Sequence, residues 1–213
     1  KIISSPDYET QSSYNIRLKT TDSSGLSYEE AVTLSVNDIN EKSQKISGKS
    51  NQKEYILGQD VNIQLIYDTT DNTSNLSGLG LKVHYDSSLL NPKGENSGVN
   101  ASVTTFGNPK ISDDIDDLDN DSSTDKFIDI VWADYNANFP DSELPTELAS
   151  LTFESSKEVL DTLTGESKIN FTSTNPAENY DFIGESIKLK PFDFILDVDG
   201  NGTTTALGDG LMI

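Results

Sequence analysis

Leu79-Gly80-Leu81-Lys82-Val83-His84-Tyr85-Asp86-Ser87-Ser88-Leu89 alternates in character along its first seven positions and then breaks at a polar turn. Leu79, Leu81, Val83 and Tyr85 fall on one side, and Gly80, Lys82 and His84 on the other. A period of two is the mark of a half-buried β-strand. The same period recurs outward in both directions. Val61, Ile63, Leu65 and Tyr67 carry it upstream. Ile128, Ile130 and Trp132, then Ala149, Leu151 and Phe153, then Ile169 and Phe171, and finally Ile187 and Leu189 carry it downstream. Long amphipathic helical patterns are absent. The chain is therefore predicted to be all-β, a sandwich whose inner faces take the apolar members of each strand.

The run from Leu79 to Leu89, an apolar strand, a Tyr-Asp turn and a leucine shortly after, resembles a cohesin domain. The resemblance extends over roughly residues 46–192 and implies a flattened β-sandwich of jelly-roll topology. We place the sandwich at residues 53–192. The preceding stretch, residues 42–52, is rich in Lys, Ser, Asn and Gln with one glycine, and reads as a linker.

Residues 12–37 read as a hairpin. Tyr14, Ile16 and Leu18 alternate with Asn15, Arg17 and Lys19. Asp22-Ser23-Ser24-Gly25 makes the turn, and Val32, Leu34 and Val36 alternate in the return strand. Asp7-Tyr8-Glu9 before the hairpin and Asp38-Ile39-Asn40-Glu41 after it resemble the calcium motifs of a cadherin repeat. The match covers residues 1–41, the last two strands of a seven-stranded domain. It implies Asp7, Glu9, Asp38 and Asn40 as calcium ligands. A two-stranded hairpin is marginal alone in water. It is expected to pack elsewhere or to pair with strands of another chain.

Two further stretches have calcium spacing. Asp117, Asp119, Asp121 and Asp125 occupy positions 1, 3, 5 and 9 of a calcium-type loop, with Ser122 where a glycine is usual. So many carboxylates in one segment repel one another without a counter-ion. Near the C-terminus, Asp197, Asp199 and Asn201 stand at positions 1, 3 and 5 of an EF-hand-type loop, Gly202 at 6 and Thr203 at 7. Gly208 holds position 12, and Asp209, the candidate closing ligand, comes one residue later. With Leu207-Gly208-Asp209-Gly210-Leu211-Met212-Ile213, this stretch resembles the first half of a dockerin, and residues 193–213 are read as a partial dockerin-like unit. The resemblance implies a bound calcium and a cohesin-type protein partner.

Composition narrows the function classes. Acidic residues outnumber basic ones 36 to 15, for a formal charge of -21. Nucleic acid and anionic membrane would both be repelled. No run is apolar or long enough to insert into a membrane. Cysteine is absent, so disulfide and thiol chemistry are closed. The chain opens and closes inside motifs, which predicts a piece of a longer protein. Calcium loops of modest affinity fill where calcium is millimolar, which points to a secreted or cell-surface location. A single histidine, His84, on the polar side of its strand gives poor material for a nucleophilic triad and none for a three-histidine zinc centre. The expected function is a non-catalytic, calcium-binding interaction module that mediates adhesion or head-to-tail self-assembly. Its partner would be another copy of itself or a cohesin/dockerin-type protein. The alternative is a carbohydrate-binding module. Trp132 with Tyr135 would then form a sugar platform, although Trp132 shares its face with Ile128 and Ile130 and on that ground belongs to the core.

Overall fold

Alternation becomes strand along more than half of the described residues. The computed structural model describes residues 6–8, 10–37, 42–50, 52, 54–56, 58–156 and 167–191. The chain divides into two units, Lys1–Glu41 and Lys42–Ile213.

The first unit is an antiparallel hairpin of β1 (Ser13–Thr21) and β2 (Ser27–Ser35), in register from Ser13↔Ser35 to Thr21↔Ser27. Asp22 sets the turn: its Oδ1 accepts the amides of Ser24 at 2.8 Å and Leu26 at 2.9 Å, and Gly25 takes φ 86°. The aspartate imitates a backbone carbonyl, and glycine supplies the left-handed residue at no steric cost. Pairing places Tyr14 opposite Leu34 and Ile16 opposite Val32 on one face. On the other, Glu29 lies 3.6 Å from both Arg17 and Lys19.

The second unit holds the remaining strands. They are β3 (Ser43–Ser50), β4 (Glu54–Tyr55), β5 (Asp60–Thr69), β6 (Asn75–Leu76), β7 (Gly78–Tyr85), β8 (Leu90–Pro92) and β9 (Val99–Ala101). After these come β10 (Lys110–Asp113), β11 (Lys126–Ala133), β12 (Phe139–Pro140), β13 (Thr146–Ser155), β14 (Ser167–Asn175), β15 (Asp181–Glu185) and β16 (Ile187–Pro191). One sheet runs β10-β11-β7-β14-β16-β4 and the other β15-β3-β5-β13-β8, with β9 also on β13. Strands β15 and β16 are neighbours in sequence but lie in opposite sheets, so the chain changes layer between them. Gly184 permits the close approach there, since a Cβ would meet the Phe171 carbonyl at 2.3 Å.

The sandwich core is the sum of the inner faces. Ile46, Val61, Ile63, Leu65, Leu151 and Phe153 from one sheet meet Leu79, Leu81, Val83, Ile128, Ile130 and Ile169 from the other, all fully or almost fully buried. Tyr85 and Phe153 pack with ring centroids 5.3 Å apart. Trp132 is 1% exposed and its Nε1 donates to the Val103 carbonyl at 3.0 Å. It is a core residue, as its strand face predicts, so its ring offers no platform to a sugar.

Two other expectations are corrected. The linker reading of residues 42–52 fails for Ser43–Ser50, which is β3, an inner strand of the second sheet. Its only large apolar residue is Ile46, so period-two alternation is muted. Burial here is by polar and small groups instead. Gln44, fully buried, donates to Tyr67 Oη at 2.8 Å and the Gly78 carbonyl at 3.0 Å, and accepts the Ala177 amide at 2.7 Å. Gly48 leaves room that Ile187 and Phe171 fill. His84 is likewise not on an open polar face: it is 0% exposed. The covering element is the acidic loop.

Candidate functional site

The outer face of the β10–β11–β7–β14 sheet carries the site. Cross-strand pairing puts Phe127 of β11 and Asn170 of β14 on either side of His84 in β7. Lys82, two residues earlier, holds its Nζ 3.8 Å from the Phe127 ring centroid. This face would be an ordinary solvated one were it not for the loop between β10 and β11.

That loop folds back as a series of tight turns. The Asp114 amide donates to the Asp125 carbonyl at 2.8 Å and closes its base, and the Asp125 amide donates to the Tyr85 carbonyl at 3.2 Å. Within it, Asn120 N–H donates to Asp117 O at 3.1 Å and Thr124 N–H to Asp121 O at 2.9 Å. Asp117 and Asn120 adopt φ of 50° and 56°, a region that Asp and Asn tolerate better than other residues with a side chain. The abundance of Asp and Asn in this segment therefore has a local conformational cause as well as an electrostatic one.

Folded this way, the loop drives acids onto the sheet. Asp114 Oδ2 lies 2.7 Å from His84 Nδ1, while its Oδ1 accepts the Leu118 amide at 3.1 Å. His84 Nε2 meets Thr172 Oγ1 at 2.7 Å. Asp119 Oδ2 accepts Asn170 Nδ2 at 2.8 Å and lies 3.9 Å from His84 Nδ1. The Asp114 and Asp119 side chains are 0% and 1% exposed. Asp121 accepts Lys168 Nζ at 2.8 Å and Asn170 Nδ2 at 3.2 Å. The Lys168 ammonium, then Ser123, hold the Asp121 carboxyl well below the usual range against the effect of burial. Hydroxyl, imidazole and carboxylate stand in the order of a nucleophilic triad, but such a triad needs an open approach. Here the loop lies over the ring.

Of the four loop positions expected to share an ion, Asp119 and Asp121 converge, both on Asn170 Nδ2. Asp125 turns elsewhere and accepts the Ser87 amide at 2.7 Å and hydroxyl at 2.6 Å. Burial raises its pKa, but the Ser87 bonds, with a backbone hydrogen bond and the Lys126 charge, together outweigh burial and the net direction is down. Asp117 is exposed. Asp7 caps its own turn, accepting the Thr10 hydroxyl at 2.7 Å. Glu9, Asp38 and Asn40, and the whole set Asp197, Asp199, Asn201, Thr203 and Asp209, lie outside the described residues. Tyr135 is 91% exposed. It lines a cleft of about 540 Å³ with Gly78, Gly80, Asp134, Asn175 and Glu178. His84 and Asp114 are the functional candidates that spacing alone missed. The only signal in the sequence was a single histidine on the polar side of a strand, upstream of an acid-rich loop.

No protein-family model matches this chain, and no curated protein does. Among solved structures it is similar to cohesin modules. The cohesin module from a family 33 glycoside hydrolase of Clostridium perfringens is 11% identical, covering 70% of this chain and 97% of that one, with a TM-score of 0.44. The sixth cohesin of scaffoldin B from Acetivibrio cellulolyticus, solved in complex with a dockerin, is 15% identical over 71% of this chain and 100% of that one, TM-score 0.44. A type II cohesin domain from the cellulosome of Acetivibrio cellulolyticus is 15% identical over 70% and 95%, TM-score 0.40. No residue role is carried over from them.

Proposed function

We propose that this chain is a non-catalytic, calcium-stiffened interaction module of a secreted or cell-surface protein, and that it binds other copies of itself end to end. The observation that carries the reading is the bare apolar face of the β1–β2 hairpin. Ile16, Leu18 and Leu34 are 37%, 56% and 48% exposed, on a two-stranded sheet that pairs with no third strand among the described residues. A hairpin of this kind gains stability when a further strand or surface covers it. If the other terminus supplies the partner surface, the contact is heterologous and repeats without closing, which yields a filament. A cohesin/dockerin-type protein is the other occupant of the same class.

Calcium enters this reading through the spacing at Asp197–Asp209, through Asp7, Glu9, Asp38 and Asn40, and through the convergence of Asp119 and Asp121. An ion bound only by the folded state stabilises it by mass action. The test is deletion of residues 1–41 and, separately, of residues 193–213, with assemblies imaged by negative-stain microscopy. Each deletion is expected to abolish long assemblies. Filaments that survive both deletions would refute the end-to-end arrangement.

The carbohydrate reading keeps one specific support, the cleft beside Tyr135. It predicts glycan binding that is lost in Tyr135→Ala with the fold unchanged. Binding unaltered by that substitution would remove it.

A further inference from the structure

We infer that His84, Asp114 and Asp119 form a buried site for a divalent transition-series cation of the zinc type, distinct in chemistry from a calcium loop. Their ligand atoms lie within 4.8 Å of one another. His84 Nδ1 stands 2.7 Å from Asp114 Oδ2 and 3.9 Å from Asp119 Oδ2. These separations bracket the edge of about 3.3 Å that a tetrahedral ion with bonds of about 2.0 Å imposes on its ligands.

Charge argues the same way. Two carboxylates with 0% and 1% exposed side chains face one imidazole with none. Buried carboxylates are costly unless compensated. A dication in place of the Nδ1 proton neutralises both.

The surrounding hydrogen bonds are those a metal site needs. Thr172 fixes the ring through Nε2, so Nδ1 is directed at the two acids. Imidazoles that bind metal are held in this manner through their other nitrogen. Asp114 Oδ2 contacts only the imidazole among the bonds described above, and its Oδ1 is anchored by the Leu118 amide. Thr124 has a single hydroxyl proton for two acceptors, Asp119 Oδ2 and the Asp121 carbonyl, each at 2.8 Å. Donation to the carbonyl leaves a lone pair on Asp119 Oδ2 for the ion.

The donor set selects the metal. Calcium takes six to eight oxygen ligands, many from water and carbonyls. One imidazole nitrogen with two carboxylates suits zinc and its neighbours instead. The ion would pin the acidic loop to β7, a structural role with water as the remaining ligand. This inference shares Asp119 with the calcium reading, whereas His84 and Asp114 belong to the zinc site alone.

The test uses the intact chain, stripped with chelator and returned to millimolar calcium so that oxygen-only sites are filled. Zinc is then titrated by calorimetry, with metal content measured after gel filtration. One zinc per chain is expected, retained in Asp116→Asn, an exposed loop acid outside the trio, and lost in His84→Gln and in Asp114→Asn. Nitrogen NMR of the single histidine in the unaltered chain gives a readout independent of any variant's folding, because the Nδ1 resonance shifts on metal binding. Failure of the folded chain to take up zinc would overturn the inference. So would uptake that leaves the Nδ1 resonance unmoved or survives His84→Gln.

Discussion

At the scale of single residues, the sandwich depends on polar groups that hydrophobic patterning does not reveal. Gln44 is the clearest. It satisfies Tyr67 Oη, the Gly78 carbonyl and the Ala177 amide from a position with 0% exposure. Gln44→Leu keeps the volume but leaves buried partners orphaned, each at about 1–3 kcal/mol. Chemical denaturation should show a loss of that order or more, with an unchanged fold just below the transition. Trp132, by contrast, was legible: its alternation with Ile128 and Ile130 assigns it to the core, and it is there. The burial of His84 was not legible. Its strand neighbours put it on the outer face correctly, but what covers that face is a loop thirty residues downstream, and period-two patterning carries no information about it.

At the scale of elements, the same limit explains β3. A strand whose buried residues are Ser43, Gln44 and a lone Ile46 presents a linker's composition, so Ser43–Ser50 was hidden while β5, β7, β11 and β13, with full apolar alternation, were plain. The acidic loop gives the prediction at this scale. The Asp121 carboxyl is held below its ordinary value of 3.8 by Lys168 first, then by Ser123 and Asn170. A depressed carboxylate pKa contributes stability that is present above the ordinary value and lost as pH falls below it. The loop should therefore loosen as pH drops from about 4, seen as faster amide exchange for residues 114–125. Lys168→Met removes the first of these partners and should cost about 0.5 kcal/mol at neutral pH, modest because the pair is partly solvated. It should also flatten the acid limb. An acid limb unchanged by the substitution would mean that Lys168 is not what holds Asp121 down.

At the scale of the molecule, an all-β sandwich and a separate hairpin follow from alternation and turn chemistry, whereas the interplay of loop and sheet had to be seen. The sandwich carries its own alkaline limit. Burial pushes Tyr67 and Tyr85 from 10.0 up to about 12, in Tyr67 against the opposing hydrogen bond from Gln44. A raised tyrosine pKa favours the folded state fully below pH 10 and progressively less as pH climbs toward 12. Burial raises Tyr55 as well, so alkaline titration should show three tyrosines ionising late, together with loss of the strand circular-dichroism signal; ionisation of Tyr67 and Tyr85 near pH 10 with the fold intact would refute the buried assignment. The proposal of a self-associating module tied by calcium is tested most directly by light scattering of the intact chain in millimolar calcium and again after chelation. Large assemblies that shrink to monomers when calcium is removed are the predicted result. A monomer of the same size in both conditions, at every protein concentration tried, would contradict it.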